Sequence, residues 1–420
     1  MNSKLYRICG TPRGEVVLPP SKSILHRYII AKYLSDSISL SDYNSISNDI
    51  SATVDAVKAL KNDETVIDCG ESGSTLRFLL PVASALGKSV DFRGRGRLMS
   101  RPISELAAAL NANGGQISVE SDRIAVRGRL RPGVYELPGD VSSQYYTGLF
   151  FALPLLGGSS RVVASSALQS KSYLAVTRAV LRDFGVDIAE SERGFGEYIV
   201  APQRFVAPDE PYAIEADWSQ AAVFLCAAAL GADCAVTGVR TASPQGDSAI
   251  LGILEQAGCE IVQLYNSVTE ENDTLVSPTE QKPRIIRSIT VKTSHLCAAN
   301  FDAGDIPDIV PPLAAMLCFA DGESVISNCA RLRLKESDRL AAVCEGLRSL
   351  GADIEIDGGS LRIRGKPTAA GGTVDSRGDH RIAMMAAVAS LRCASGVYVT
   401  DAGCVAKSYP NFWNDWEGKE

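Results

Sequence analysis

Six segments of this 420-residue chain follow one plan. Each has a polar opening, an amphipathic or wholly apolar helix, a Gly or small-residue stop, and a short β-branched strand. They open at SKSILHR (Ser21), GESGSTLRFLLPVASALG (Gly70), DVSSQYYTGLFFALPLLG (Asp140), DWSQAAVFLCAAALG (Asp217), DIPDIVPPLAAMLCFADG (Asp305) and GDHRIAMMAAVASLRCASG (Gly378). A second type of helix lies between them and ends in a Gly turn and a hairpin-like strand pair, as in AAALNANGGQISVESDRIAVRG and GLRSLGADIEIDGGSLRIRG. Self-similarity at a spacing of about 70 residues gives units of two helices and several strands. The plainer alternative is ordinary α/β alternation, which needs no repeat.

Several first-type helices, such as AAVFLCAAALG and IAMMAAVASL, are apolar nearly all round. A helix of that kind has no face for water and must be covered by neighbours. The expected architecture is therefore α/β, with sheets wrapped around buried parallel helices in two lobes of three units each. The crossing between lobes falls near APDEPYAIEADWS, a polar, Pro-containing stretch. The acidic, turn-rich YNSVTEENDTLVSPTEQKPRIIRS reads as a surface excursion of the second lobe.

The helix mouths carry an electrostatic puzzle. In PPSKSILHRYIIAKYLS the apolar spacing from Ile24 predicts a helix, yet Lys22 sits at its start and Arg27 in its first turns. A helix N-terminus is already partly positive and favours anions. Other mouths repeat the feature with Arg77, Arg381 and, before a second-type helix, Arg101; Lys335, Arg339 and Lys407 stand in RLKESDRL and CVAKSYP. Each motif alone has a plain reading. Lys22 and Arg27 can snorkel, Ser72, Ser74, Thr75 and Ser142 to Gln144 can cap helices, and KESDR can be a surface ion-pair ladder. Recurrence favours a shared phosphate or carboxylate site.

That site must be a local concentration of charge, because the net charge is -7, which argues against nucleic acid or an acidic membrane as partner. No apolar run reaches the ~18 residues of a membrane span, and MNSKLYRICGTPRGEV lacks a signal-peptide core. The eleven cysteines show no metal-ligand spacing and read as reduced cytoplasmic thiols, with no metal and no cofactor expected. Walker A, dinucleotide and GxSxG patterns do not occur. Two acids are candidate proton carriers. Asp308 leads into an apolar helix beside cations, which pull its pKa in opposite directions. Glu336, between Lys335 and Arg339, is ionised by default and can carry a proton once a ligand neutralises them.

In order, PPSKSILHR, GESGSTLRFL, RPI, DVSSQYYTGL, QSKSY, IPD, RLKESDR, DHRIAM and AKSYP make the chain resemble the 3-phosphoshikimate 1-carboxyvinyltransferase family, also called 5-enolpyruvylshikimate-3-phosphate synthases, from about Lys22 to Tyr409. The resemblance implies two lobes of three βαβαββ-type units, residues 20–214 forming the first and residues 1–19 with 215–420 the second. It implies attack by the 5-hydroxyl of shikimate 3-phosphate on phosphoenolpyruvate, a tetrahedral intermediate, and loss of phosphate on the route to chorismate. Lys22, Ser23, Arg27, Ser142, Ser143, Gln144, Ser170, Tyr173, Asp308 and Lys335 then hold shikimate 3-phosphate. Lys22, Gly73, Arg101, Gln144, Arg339, Arg381 and Lys407 hold phosphoenolpyruvate, and Arg77 shapes the first-lobe anion site. Asp308, Glu336 and Lys22 are the implied catalytic groups. A cytoplasmic monomer that closes its lobes over both substrates is expected.

Some positions depart from the family pattern. Pro20 and Leu25 replace a frequent Gly and Ser, Phe78 a Pro, Glu71 an Asn, and Arg331 an Asn; Arg331 receives no role. Glu71 adds negative charge beside an anion site. The alternatives are the sister enzyme acting on UDP-N-acetylglucosamine and a non-catalytic anion-binding relative. The sister typically has Lys-Asn where Lys22-Ser23 stands, and a cysteine on the loop that here reads RGRGRLMSRP.

Overall fold

The computed structural model describes residues 5–37, 46–191, 196–209, 214–265 and 286–418. Most of the acidic insertion, part of the expected crossing, and the segment following the first helix lie outside these residues. One sheet order recurs four times. In the first instance β3 (Val66–Asp68) runs parallel to β4 (Val90–Arg93), which pairs antiparallel with β6 (Ile124–Val126), itself antiparallel to β5 (Ile117–Val119). The same order links β7 (Val134–Leu137), β8 (Ser160–Ala164), β10 (Glu197–Val200) and β9 (Ala189–Glu190). It links β14 (Phe301–Asp302), β15 (Glu323–Ser327), β17 (Ser360–Arg364) and β16 (Asp353–Asp357) as well.

In the fourth sheet, β2 (Gly14–Val17) supplies the parallel edge strand beside β11 (Cys234–Thr237), followed by β13 (Ile286–Thr293) and β12 (Cys259–Tyr265). The last two strands are the arms flanking the insertion. A fifth, three-stranded sheet joins β18 (Gly372–Val374), β19 (Val397–Thr400) and β1 (Leu5–Arg7). The N-terminal strands thus complete two sheets built from the distant half of the chain.

Apolar side chains divide into two cores. One draws on residues between Ile24 and Phe205; the other combines Ile8, Val16 and Leu18 with residues from Ala216 to Trp416. We call these the first and second lobes. Two strands of backbone run side by side where the chain passes between them, bridged at Pro20 and Ala216. The first-type helices fill the cores. Every residue of Trp218–Ala229 and of Val310–Leu317 is buried. Gly148 lets helix Ser143–Ala152 lie against Gly73–Ala85, since a Cβ there would sit 2.3 Å from the Arg77 carbonyl oxygen.

Candidate active site

Side-chain caps fix where five of the six first-type helices begin. Ser21, Ser72, Ser142, Asp217 and Asp379 each accept a hydrogen bond from a backbone N–H of the turn they open. The first helix therefore starts at Lys22, two residues before the apolar spacing indicated. Asp217 serves two helices at once. Its Oδ1 accepts from the N–H groups of Ser219 and Gln220, at 2.9 and 3.3 Å, while its Oδ2 accepts from the Lys22 N–H at 3.0 Å. Carboxylates of the protein itself thus meet the positive helix ends that the sequence reading left for a ligand to satisfy.

Two buried arginines of the first lobe, Arg27 and Arg77, are held by neutral groups. Arg27 donates to the Thr177 and Thr147 hydroxyls at 2.8 and 3.3 Å and to the Ser23 and Tyr173 carbonyls at 2.6 and 3.2 Å. Burial pushes its pKa down to about 9, so it stays charged at neutral pH. Arg77 donates to the Pro102 carbonyl at 2.7 Å and to Gln144 Oε1 at 3.2 Å; burial and then Arg101 push it down to about 10. Gln144 in turn donates to the Ser74 hydroxyl at 3.0 Å. A Cβ on Gly73 would lie 2.7 Å from both Arg101 Nη1 and Arg77 Nη1, so only glycine leaves this mouth open to the two guanidiniums. Lys22 is paired instead, with Asp49 at 2.8 Å.

The second lobe presents its cations already paired. Arg339 is 1% exposed and divides its nitrogens among three acids: Nε on Asp379 at 3.0 Å, Nη1 on Asp308 at 2.8 Å and Nη2 on Glu336 at 2.7 Å. Arg381 donates to the Asp308 carbonyl and the Ser219 hydroxyl, both at 3.0 Å, and lies 3.4 Å from Asp308 Oδ2. Lys335 stands 3.4 Å from Asp308. Burial pushes the Asp308 carboxyl up, but Arg381, Lys335, Arg339 and the Tyr173 hydroxyl overcome it and hold Asp308 well below the usual carboxylate range. Glu336 behaves alike: burial raises it, and Arg101, Arg339 and Lys407 together hold it well below. Burial followed by cation repulsion keeps His380 neutral.

Contacts from one lobe to the other close the cleft. Tyr173 donates to Asp308 Oδ2 at 2.7 Å, Arg101 Nη1 lies 3.6 Å from Glu336, and Lys407 Nζ lies 3.0 Å from Glu71. Of the residues singled out from sequence, Lys22, Ser23, Arg27, Gly73, Arg77, Arg101, Ser142 to Gln144, Ser170, Tyr173, Asp308, Lys335, Glu336, Arg339 and Arg381 line one cavity. Lys407 faces an adjoining one. Arg331, His380, Asp49 and Ser74 line the main cavity too, though the sequence reading gave them no part. Arg331 is the one with a readable signal, standing with Arg333 and Lys335 in the basic run RLRLK that opens into ESDR. Its Nη1 donates to the Ser170 hydroxyl at 2.8 Å and its Nη2 to the Val141 carbonyl at 3.4 Å. Among the described residues, no cluster of three His, Cys, Asp or Glu side chains is arranged to hold a metal ion.

Five mixed sheets around buried helices form two lobes that face each other across a cation-lined cleft. The structure superposes on an EPSP synthase from Acinetobacter baumannii with a TM-score of 0.72, at 23% identity, covering 97% of this chain and 96% of that one. The family profile described as EPSP synthase (3-phosphoshikimate 1-carboxyvinyltransferase) matches residues 46–416, and this chain belongs to that family. A 3-phosphoshikimate 1-carboxyvinyltransferase from Clostridium kluyveri is 37% identical over 96% of this chain and 94% of its own length. One from Clostridium botulinum is 36% identical over 97% and 95%.

Proposed function

We propose that the chain transfers the enolpyruvyl (carboxyvinyl) group of phosphoenolpyruvate to the 5-hydroxyl of shikimate 3-phosphate and releases inorganic phosphate, a step toward chorismate and the aromatic amino acids. Family membership supports the reaction. At the level of residues, the carrying observation is the pair of ionised carboxylates, Asp308 and Glu336, bridged by Arg339 and faced by cations of the other lobe.

Asp308 takes the proton of the attacking hydroxyl as the new C–O bond forms at the enol carbon. Its surrounding cations keep it ionised in the resting site. The methylene carbon gains a proton from Glu336, giving a tetrahedral intermediate; as the C–O bond to phosphate breaks, Glu336 takes a proton back from the methyl group and the proton held by Asp308 leaves with the phosphate. Phosphoenolpyruvate supports the first half of this cycle. Its anionic groups draw on Arg101, Arg339 and Lys407, the cations that depress the Glu336 pKa, so binding raises that pKa and makes protonation accessible. Arg27, Ser23, Ser142, Ser143, Ser170, Tyr173 and Lys335 hold shikimate 3-phosphate, Arg331 adds a cation beside Ser170, and Lys22 touches both substrates. Gly73, Gln144 and Arg381 complete the phosphoenolpyruvate side.

Contacts between the lobes, such as Tyr173 with Asp308 and Lys407 with Glu71, cover the site, and the lobes, divided at residues 20–214 and 1–19 with 215–420, open to admit substrates and close for chemistry. Eleven free cysteines accord with a reducing cytoplasm, and no described helix is long and apolar enough to cross a membrane. The working unit is a monomer, since both walls of the site come from one chain. A coupled phosphate-release assay with both substrates tests the function. Release with UDP-N-acetylglucosamine in place of shikimate 3-phosphate would overturn it.

A further inference from the structure

The two edges of the cleft are closed by different chemistry. Near Tyr173 the lobes meet through backbone and hydroxyl groups: Ser170 N–H to the Gly304 carbonyl at 3.2 Å, and Ser172 Oγ to the Asp305 carbonyl at 2.9 Å. At the other edge they meet through ion pairs, and one of these ties Lys407 of the second lobe to Glu71 of the first.

We infer that Glu71 sets the affinity for phosphoenolpyruvate by occupying Lys407 until the substrate takes it over, an inference that rests on the functional reading above. The Lys407 side chain is only 9% exposed, whereas that of Glu71 is 51% exposed. Lys407 is thus a fixed post inside the cleft and Glu71 a solvated arm that can let go. The loop carrying Gly96 aims the arm. A Cβ at Gly96 would lie 3.0 Å from the Glu71 carboxyl, so glycine, at φ +57°, allows the backbone to cover that carboxylate and hold it toward Lys407. When released, Glu71 is left at the wall of a second cavity of ≈ 820 Å³ that opens between the lobes, so its charge is not stranded in an apolar interior.

Glu71 therefore acts on the substrate in two ways. An anion that claims Lys407 must first displace a carboxylate from it, which weakens apparent binding in proportion to the paired population. The same carboxylate also repels an incoming phosphate, and salt screens both effects because Glu71 faces water. Glu71 touches no reacting atom and is a positioning residue that works through Lys407.

Glu71→Gln keeps the shape and removes the charge. A half-exposed ion pair predicts a fall in the phosphoenolpyruvate KM of about fivefold at low salt. The kcat and the shikimate 3-phosphate KM should stay within about twofold, and competitive inhibition by inorganic phosphate should tighten together with the phosphoenolpyruvate KM. Raising the salt should bring variant and wild type together. A phosphoenolpyruvate KM that is unchanged or higher in the variant, or a fall shared equally by both substrates, overturns the inference. Failure of the functional reading looks different: wild-type enzyme would then release no phosphate from the two substrates at all.

Discussion

Two sets of buried arginines, Arg27 with Arg77 on the first-lobe wall of the cleft and Arg339 on the second, carry their charge under opposite conditions. Arg27, Arg77 and, reaching over from the second lobe, Arg331 rest on hydroxyls, amides and carbonyls and make no ion pair among the described residues. Arg339 is surrounded by three carboxylates, and burial, which lowers its pKa, is outweighed by Asp379, Glu336 and Asp308. The difference separates two uses of a cation. A buried guanidinium on neutral partners carries an unspent attraction, because burial without a counter-charge is costly and an arriving anion relieves that cost. A guanidinium among carboxylates has little attraction to spare, and what it does instead is fix the ionisation and direction of those acids.

The largest test of the contrast is at Asp308. Asp308→Asn keeps the shape but cannot accept the hydroxyl proton, so kcat should fall by about 10³ in the phosphate-release assay. A loss under tenfold would mean that the carboxylate only balances Arg339, Arg381 and Lys335.

Next comes a matched pair of arginines. Arg339→Met should cost about 3–5 kcal/mol of stability, because it strands Asp379, Asp308 and Glu336. Arg27→Met should change stability by no more than about 1 kcal/mol, within the range of ordinary hydrogen-bond losses, while raising the shikimate 3-phosphate KM on the order of a hundredfold. Denaturant titration of both variants beside the assay decides the matter; equal stability losses would erase the distinction between the two sets.

A smaller effect tests a leftover acid. Asp247 is buried, and its Oδ1 has no hydrogen-bond partner. Burial, then the nearby Asp308 charge, push its pKa up to about 8. The folded value lies above the unfolded one of about 3.9. Its contribution to stability is therefore whole below pH ~4 and is lost as pH rises through about 8. Asp247→Asn should match wild type in melting temperature near pH 4 and exceed it by roughly 5 °C at pH 8. A constant difference across that range would show that Asp247 does not titrate there.

Much of the site could be read from the chain because caps and cations sit within a few residues of the helices they serve. Ser72, Ser142 and Asp379 announce helix starts locally, and KESDR places Lys335, Glu336 and Arg339 on one short turn. What escaped detection depends on pairs far apart in sequence. Asp217 accepts from the Lys22 N–H across a separation of 195 residues, and no local pattern at either end marks that bond. The same holds for the pairing of Glu71 with Lys407 and of Arg331 with Ser170, since nothing in the local sequence of either residue names its partner. The sheets were partly legible. Hairpin pairs such as β5 with β6 and β16 with β17 follow their Gly turns, but the placement of β1 and β2 came from the family resemblance, since short edge strands carry no address for a partner over 200 residues away.

Those two edge strands also order events at the ribosome. Both are made before their partners: β2 must wait for β11, and β1 for β19, which lies far downstream. The half containing residues 24–205 can assemble its interior during synthesis, while the leading segment hangs free as an unpaired edge. A nascent chain stalled before Val397 should therefore be protease-resistant in its middle and cleavable at β1, whose partner strand is still missing.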